Sequence, residues 1–302
     1  MKKFLNDPNN FVAEMLEGVH LANPGKFKLV PEFNLIYRAD RPDNSKVSLI
    51  QGSGSGHEPA HIMAVGPGML DAASPGAVFA APPVDTCLAC IEHLKSDAGV
   101  LVLINNYQGD RMAWDMAIEM AQGMGIKVEK FIINDDVAVP DSTYSIGRRG
   151  VAGNFFVIKA LGAAAEKGAS LEELLKIADK VNSQVRSFGV ALSSCVPPLK
   201  GAREVTDELI DAILAEMEAR RGDRVAVLVN SLGATPLMEL YILYARVAER
   251  LADAGLLVHK ALVGPYCTSL EMAGASITVM HLDDELIRLI DHPCDCAMFR
   301  QG

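Results

Sequence analysis

The sequence predicts an α/β protein of two domains, each built on a mostly parallel or mixed sheet flanked by helices. Three observations carry this. Two uninterrupted apolar runs, Val100-Leu-Val-Leu-Ile and Val225-Ala-Val-Leu-Val, read as strands buried on both faces. Stretches with apolar residues at helical spacing lie on either side of each run, and such alternation implies strands paired in parallel under a cover of helices. At 302 residues, half of them hydrophobic, the chain is longer than one core usually serves. The division is expected near the strand that stops at Cys195-Val-Pro-Pro, giving an N-terminal domain of residues 1–190 and a C-terminal domain of residues 191–302.

Taken in order, residues 11–21 predict a first helix, closed by Pro24-Gly25. A short strand over 46–50 feeds the turn Gly52-Ser-Gly-Ser-Gly-His-Glu-Pro, and residues 58–64 are expected to begin the next helix or its approach. Two turn signals follow, Gly66-Pro67-Gly68 and Ser74-Pro75-Gly76. A helix from Pro83 to Lys95 leads to the first buried strand, which ends in Asn105, Asn106, Tyr107 and Asp110. Open α/β sheets place their sites beyond such carboxyl ends. A helix over 112–123 and a strand over 128–133 repeat the unit, the strand ending in Asn134-Asp-Asp.

The loop Ser145-Ile-Gly-Arg-Arg-Gly-Val-Ala-Gly carries Arg148 and Arg149, read as partners of the acidic strand ends, with phosphate binding as the alternative. Helices are expected over 155–166 and after Ser170, which forms a capping-box pattern with Glu173. A strand starts at Gly189, a helix spans 207–221, and the strand 224–229 ends in Asn230-Ser-Leu-Gly-Ala-Thr-Pro. Thr235 is the expected cap of the next helix, with Pro236 in its first turn. Strands over 256–263 and 276–282 complete the pattern, and no internal sequence repeat supports duplication.

A net charge of -10 and an isoelectric point near 5.2 argue against nucleic acid or an anionic membrane as partner, since both require a basic surface. With no apolar run of membrane-spanning length, the expectation is a soluble cytoplasmic protein that handles a small molecule. Cys87 and Cys90 form a C-x-x-C pair at helical spacing, where cysteine packs as a small hydrophobe, and Cys294 and Cys296 lack histidines at zinc-finger spacing although His292 adjoins them. No metal site is expected.

The glycine-rich turn carries the chemistry. Its spacing fits neither the dinucleotide fingerprint nor a phosphate-cradling loop, which needs Lys then Ser or Thr where His57 and Glu58 stand. Neither Ser53 nor Ser55 has the flanking glycines of a nucleophile elbow. What remains is a tight turn that delivers an imidazole and a carboxylate together, or a sharp strand-to-helix turn bearing a solvated histidine.

Four stretches together resemble the substrate-binding subunits of dihydroxyacetone kinases: Gly52-Ser-Gly-Ser-Gly-His-Glu-Pro, Asn106-Tyr-Gln-Gly-Asp, Asn134-Asp-Asp-Val-Ala-Val with Gly147-Arg-Arg-Gly-Val-Ala, and Asn230-Ser-Leu-Gly-Ala-Thr-Pro with Tyr266-Cys-Thr-Ser. The resemblance implies two α/β domains, a homodimer, and a glycine-rich ketone-binding loop in which Gly54, Ser55, Gly56 and His57 line the substrate site. It also implies that Asp110 binds a substrate hydroxyl and that His57 accepts its proton, with Glu58 either holding the imidazole tautomer or capping a helix. No cofactor is expected on this chain. The nucleotide, ATP or ADP with magnesium, would sit on a separate helical subunit, or a phosphotransferase relay would supply the phosphoryl group.

Two departures stand out. The family's Gly-Ile-His-Gly-Glu-Pro-Gly segment, whose histidine bonds covalently to the substrate carbonyl, has no counterpart, because no histidine lies between His93 and His259. A neutral Asn105 stands where the family commonly places a substrate-contacting lysine. The expectation is a kinase subunit that presents a small hydroxyketone or related polyol to a nucleotide-bearing partner. The alternative is a noncatalytic, ligand-sensing regulator.

Overall fold

The structure, a computed structural model, describes residues 3–40, 44–139, 146–192 and 200–302. Ser145 and the expected strand end at Cys195-Val-Pro-Pro lie outside these ranges. The N-terminal half runs α1 (Phe11–Ala22), β1 (Phe27–Val30), β2 (Leu35–Arg38), β3 (Ser48–Gln51), β4 (Gly54–Ser55), β5 (Ala72–Ala73), β6 (Gly76–Val78), α2 (Val84–Leu94), β7 (Val100–Asn105), α3 (Gln108–Gly123), β8 (Val128–Ile133), α4 (Asn154–Glu166) and α5 (Leu171–Gln184). The rest runs β9 (Val185–Ala191), α6 (Ala202–Ala215), β10 (Arg224–Ser231), α7 (Leu237–Asp253), β11 (Leu257–Gly264), β12 (Gly274–Leu282), α8 (Asp284–Ile290), β13 (Cys294–Asp295) and β14 (Arg300–Gln301).

Both main sheets are mixed. The first has the order β1-β2-β5-β3-β7-β8, parallel from β5 to β8 and antiparallel at its β1-β2-β5 edge. The second has the order β11-β10-β12-β9, parallel between β10 and β11 and antiparallel elsewhere. β9 starts at Val185 and pairs with β12, so sheet membership changes there and a division between 190 and 191 passes through that strand.

Three apolar cores stack into alternating layers. Alternate residues of β7, Val100, Val102 and Ile104, pack with Ile50 under α2 and α3. Leu101 and Leu103 face the opposite way, into a core that also takes Ala226, Leu228, Met280 and α8. α4 lies in that shared middle, which is why every residue from 154 to 165 is buried and the helix is apolar nearly all round. The third core joins Val225, Val227 and Val229 to α6 and α7.

Several boundaries differ from the sequence pattern for local reasons. No helix forms over 58–64 beyond a single turn at Ile62–Ala64, and the Glu58 carbonyl accepts from the Thr268 hydroxyl at 2.8 Å. α3 begins four residues before Met112, which brings Asp110 into its first turn. α6 begins at Ala202 after extended Gly201 and ends at Ala215, earlier at both ends than the 207–221 expected. Thr235 does not cap α7: its hydroxyl donates to the Gly274 carbonyl at 2.7 Å and accepts from the Gly274 N–H at 2.9 Å, and Pro236 takes the cap position. The Ser170 and Glu173 capping box is present.

A Cβ on Gly162 of α4 would stand 2.4 Å from the Gly68 carbonyl oxygen, which is backbone and cannot rotate away. Gly162→Ala is therefore expected to lower the urea midpoint, by an overpacking cost of about 1–3 kcal/mol. An unchanged midpoint would show that the two backbones do not meet.

Candidate functional site

A cavity of about 330 Å³ opens between the two sheets, at the carboxyl ends of their strands. From the first half it is lined by Ser53 after β3, His57, His61, Asn105 at the end of β7, and Asp136 after β8. The second half supplies Val190 and Ala191 of β9, Asn230 of β10, and Cys267 and Thr268 after β11. A volume of this order suits a small polar metabolite.

The glycine-rich turn is held from several directions. Trp114 of α3 donates to the Gly52 carbonyl at 2.9 Å, and Ser55 donates to the Gly76 carbonyl at 2.7 Å. Side chains at Gly52 and Gly54 would collide with the backbone of Ser74 and Ala80, at 2.2 and 2.7 Å. Those glycines are thus required by close packing of the turn on its own protein. Gly54, Ser55 and Gly56 are not among the residues that line the cavity; Ser53 and His57 are.

His57 receives its orientation from the other half of the chain. Its Nδ1 lies 2.7 Å from the Thr268 carbonyl oxygen, which can only accept, so Nδ1 carries the proton and Nε2 of the neutral ring keeps a lone pair. Phe79 lies against the imidazole with ring centres 5.3 Å apart. Glu58 does not hold the ring: its carboxylate turns back to accept from the Gly56 N–H at 2.8 Å. The Thr268 N–H donates to the His57 carbonyl and the Leu270 N–H to the Gly56 carbonyl, so the loop after β11 grips the turn along its length. Asn230 shapes that loop, accepting from the Tyr266 and Cys267 N–H groups and donating to the Cys267 carbonyl at 2.7 Å.

Asp110 stands one layer behind the wall, where its carboxylate accepts from the Ser53 hydroxyl at 2.8 Å. Burial pushes its carboxyl up to about 6, against the pull of the Ser53 hydrogen bond and of nearby His57. His61 is on the cavity wall, 5 % exposed, and burial drives its imidazole down to about 3, with His57 adding to the shift. Its Nδ1 lies 3.3 Å from Nδ2 of Asn154, which in turn donates to Oδ1 of Asn105 at 3.3 Å.

The arginine loop divides its partners. Arg149 pairs with Asp136 at the end of β8, at 2.7 Å, whereas Arg148 reaches Glu216 beyond α6, at 2.6 Å. Cys87 and Cys90 are buried in α2, where burial raises both thiols. No group of His, Cys, Asp and Glu among the described residues is arranged to hold a metal ion, and no described helix is long and apolar enough to cross a membrane.

Sequence reasoning did not single out His61, Phe79, Asn154 or Thr268 as site residues. His61 sits four places after His57, a spacing that in a helix would have marked one face, but the segment is not helical. Phe79 and Thr268 reach His57 only through the tertiary fold.

The Dak1 domain family matches residues 17–203 and 198–298, and this chain belongs to that family. It is 42% identical to the dihydroxyacetone-binding subunit DhaK of the PTS-dependent dihydroxyacetone kinase 1 of Listeria innocua, with 94% of this chain and 95% of that one covered. It is 38% identical to the corresponding subunit of the PEP-dependent kinase of Escherichia coli, over the whole of both chains. That alignment runs over 356 positions against the 302 residues here, so the relative carries stretches with no counterpart in this chain. The two matched ranges overlap at residues 198–203. Among solved structures, a Lactococcus lactis protein described under regulation of the dha operon superposes with a TM-score of 0.92 at 32% identity, covering 99% of this chain and 98% of that one. The dihydroxyacetone kinase operon co-activator Dha-DhaQ superposes at 0.89 with 31% identity, covering 95% and 98%. The native dihydroxyacetone kinase of C. freundii superposes at 0.90 with 30% identity, covering 99% of this chain and 60% of that longer one.

The raised Asp110 carboxyl fixes the sign of a pH test. The folded protein holds that proton up to about pH 6, whereas an unfolded chain releases it near 3.8, so stability falls as pH rises through that window. Asp110→Asn removes the buried charge, and Ser53 can still donate to the amide oxygen. The variant is expected to be more stable than the parent at pH 7.5 by about 1–3 kcal/mol, an advantage that disappears towards pH 4. Urea titrations across that range check it, and a variant less stable at pH 7.5 would contradict it.

Proposed function

We propose that this chain is the substrate-binding subunit of a dihydroxyacetone-kinase-like phosphotransferase, presenting a small hydroxyketone or related polyol to a nucleotide-bearing helical partner. The observation that carries the reading is the tautomer of His57, whose Nε2 is left free to accept a proton at a cavity of metabolite size. A primary alcohol becomes nucleophilic towards phosphorus as its proton leaves, and a neutral imidazole within reach takes that proton while the oxygen bonds to phosphorus and the donor's own bond to that phosphorus breaks, its electron pair leaving with the donor. Asp110, ionised above about pH 6, steadies the imidazolium that results and orients the hydroxyl through Ser53. Asn105 stands in the wall beside the substrate. Gly54, Ser55 and Gly56 serve by fixing the turn that carries His57.

The nucleotide, ATP or ADP with magnesium, belongs on the partner, and the phosphoryl group comes from ATP or from a phosphotransferase relay. The names of the relatives support this: PTS-dependent and PEP-dependent kinases each with a separate dihydroxyacetone-binding subunit, and a C. freundii kinase, longer than this chain, solved with AMP-PNP and Mg2+. The same reading makes the subunit a cytoplasmic homodimer, because its donors are cytoplasmic and the family precedent is paired. Light scattering that gave a monomer at micromolar concentration would count against the pairing.

A second reading has its own support. Two structures that match nearly full length are described by operon regulation and co-activation, and this chain lacks the covalent histidine. Under that reading the chain binds ketone without phosphorylating it.

Reconstitution separates the two. With a nucleotide-bearing subunit and dihydroxyacetone, transfer is expected, falling by about a hundredfold to ten-thousandfold in His57→Ala, the usual worth of a general base. Transfer unaffected by that substitution would sink the assigned role, and no transfer with any donor would favour the regulator. Intact-mass analysis after incubation with dihydroxyacetone is expected to show no stable adduct.

A further inference from the structure

Most polar groups of the cavity are already engaged with the protein. Ser53 donates to Asp110, Thr268 donates to the Glu58 carbonyl, Asn230 donates to the Cys267 carbonyl and to Ser276, and Arg149 donates to Asp136. His61 and Asn105 differ. Both line the cavity, both are nearly buried, and each has one end tied to the same amide.

The polarity of that tie has a consequence for both residues. Asn154 Nδ2 supplies its two hydrogens, one to Asn105 Oδ1 and one to His61 Nδ1. An imidazole that accepts at Nδ1 is protonated at Nε2, and an amide that accepts at Oδ1 keeps both hydrogens on Nδ2. Neither His61 Nε2 nor Asn105 Nδ2 has a hydrogen-bond partner among the described residues. A Cβ at Gly150 would stand 3.0 Å from Asn105 Oδ1, so the loop closes over that amide, and Asn154 is fixed as the first residue of buried α4.

We propose that His61 Nε2–H and Asn105 Nδ2–H, set to the same polarity by the Asn154 amide between them, form a neutral two-donor cradle for the carbonyl oxygen of a hydroxyketone held without a covalent bond. The inference rests on the hydroxyketone reading above and deepens it by naming how the ketone is told from a polyol. A carbonyl oxygen has two lone pairs and no hydrogen, so two donors satisfy it completely. The secondary hydroxyl of glycerol at the same point brings a hydrogen that would face only donors, and an unmatched buried polar group is strongly rejected. Burial keeps His61 neutral at physiological pH, which preserves the acceptor that Asn154 requires.

The test compares dihydroxyacetone with glycerol by titration calorimetry on the full chain, and follows dihydroxyacetone labelled with 13C at its central carbon by NMR. The bound carbon is expected in the carbonyl region, shifted downfield by the two donors, and 15N spectra are expected to place the His61 proton on Nε2. Both His61→Leu and Asn105→Asp are expected to lower the preference for ketone over glycerol by about tenfold or more. Loss of packing alone would weaken both ligands together and leave their ratio unchanged. Should His61→Leu fail to fold, Asn105→Asp, which exchanges a donor for an acceptor at nearly constant volume, carries the comparison. An unchanged ratio in a folded variant, a His61 proton on Nδ1, or a bound carbon in the saturated region would each overturn the cradle while leaving ketone binding intact. Absence of any ketone binding by the parent protein would overturn the functional reading and the cradle together.

Discussion

The contact between His57 and the Thr268 carbonyl is the constraint on which the site depends, because it joins positions 211 residues apart and decides which nitrogen of the ring can act as a base. It could not survive alone. A carbonyl in a loose loop would turn to water and the ring would lose its tautomer. Thr268 is held because Asn230 satisfies both N–H groups just before it, and because the loop bonds back to Gly56, His57 and Glu58. The stretch at Asn230 and the stretch at Tyr266 are therefore parts of one device. They position the glycine turn from the opposite sheet.

This clamp also accounts for the shared central core. If each sheet had closed on its own helices, the two carboxyl edges would be free to move and the distance from Thr268 to His57 would not be maintained. α4 prevents that by packing both sheets at once, and its amino end carries Asn154 straight into the cavity wall. Rigidity at the site comes from the most buried helix of the fold. The cost is borne locally: Asp110 is an acid in surroundings that disfavour its charge, and the Glu58 Oε1 and both amide atoms of Gln51 are buried without a protein partner. Functional sites commonly carry such locally unfavourable groups.

Much of the layering was legible in the sequence because buried strands and amphipathic helices carry strong periodic signals. Val128–Ile133 begins and ends where its pattern does, and Ser170 caps α5 through the local pair that its spacing announced. Boundaries set by distant partners were not legible. Thr235 looks like a helix cap until Gly274 arrives from β12, and in the 58–64 segment the Glu58 carbonyl meets Thr268 from the far end of the chain. The same division runs through the site. His57 and Asn105, which motif and strand-end position pointed to, line the cavity and Asp110 lies behind it, whereas the group that orients the histidine comes from the other end of the chain. Glu58, adjacent in sequence, was the natural candidate for that role. Its carboxylate is instead captured by the Gly56 N–H two residues back, the sort of local contact that competes with any longer reach.

The lost histidine segment and the neutral Asn105 bear on the same problem. A covalent bond to the carbonyl discriminates ketone from alcohol by chemistry, since an alcohol cannot form it. In the proposed cradle, discrimination comes from hydrogen-bond polarity, and polarity is set only where a group's other end is already committed. A lysine at position 105 would bring three donors but no acceptor for the Asn154 amide, and its charge would stand in a nearly buried setting. An asparagine keeps the donor, drops the charge, and offers an acceptor to Asn154. A neutral acceptor at 105 is what lets Asn154, donating to Asn105 on one side and His61 on the other, set the direction of both.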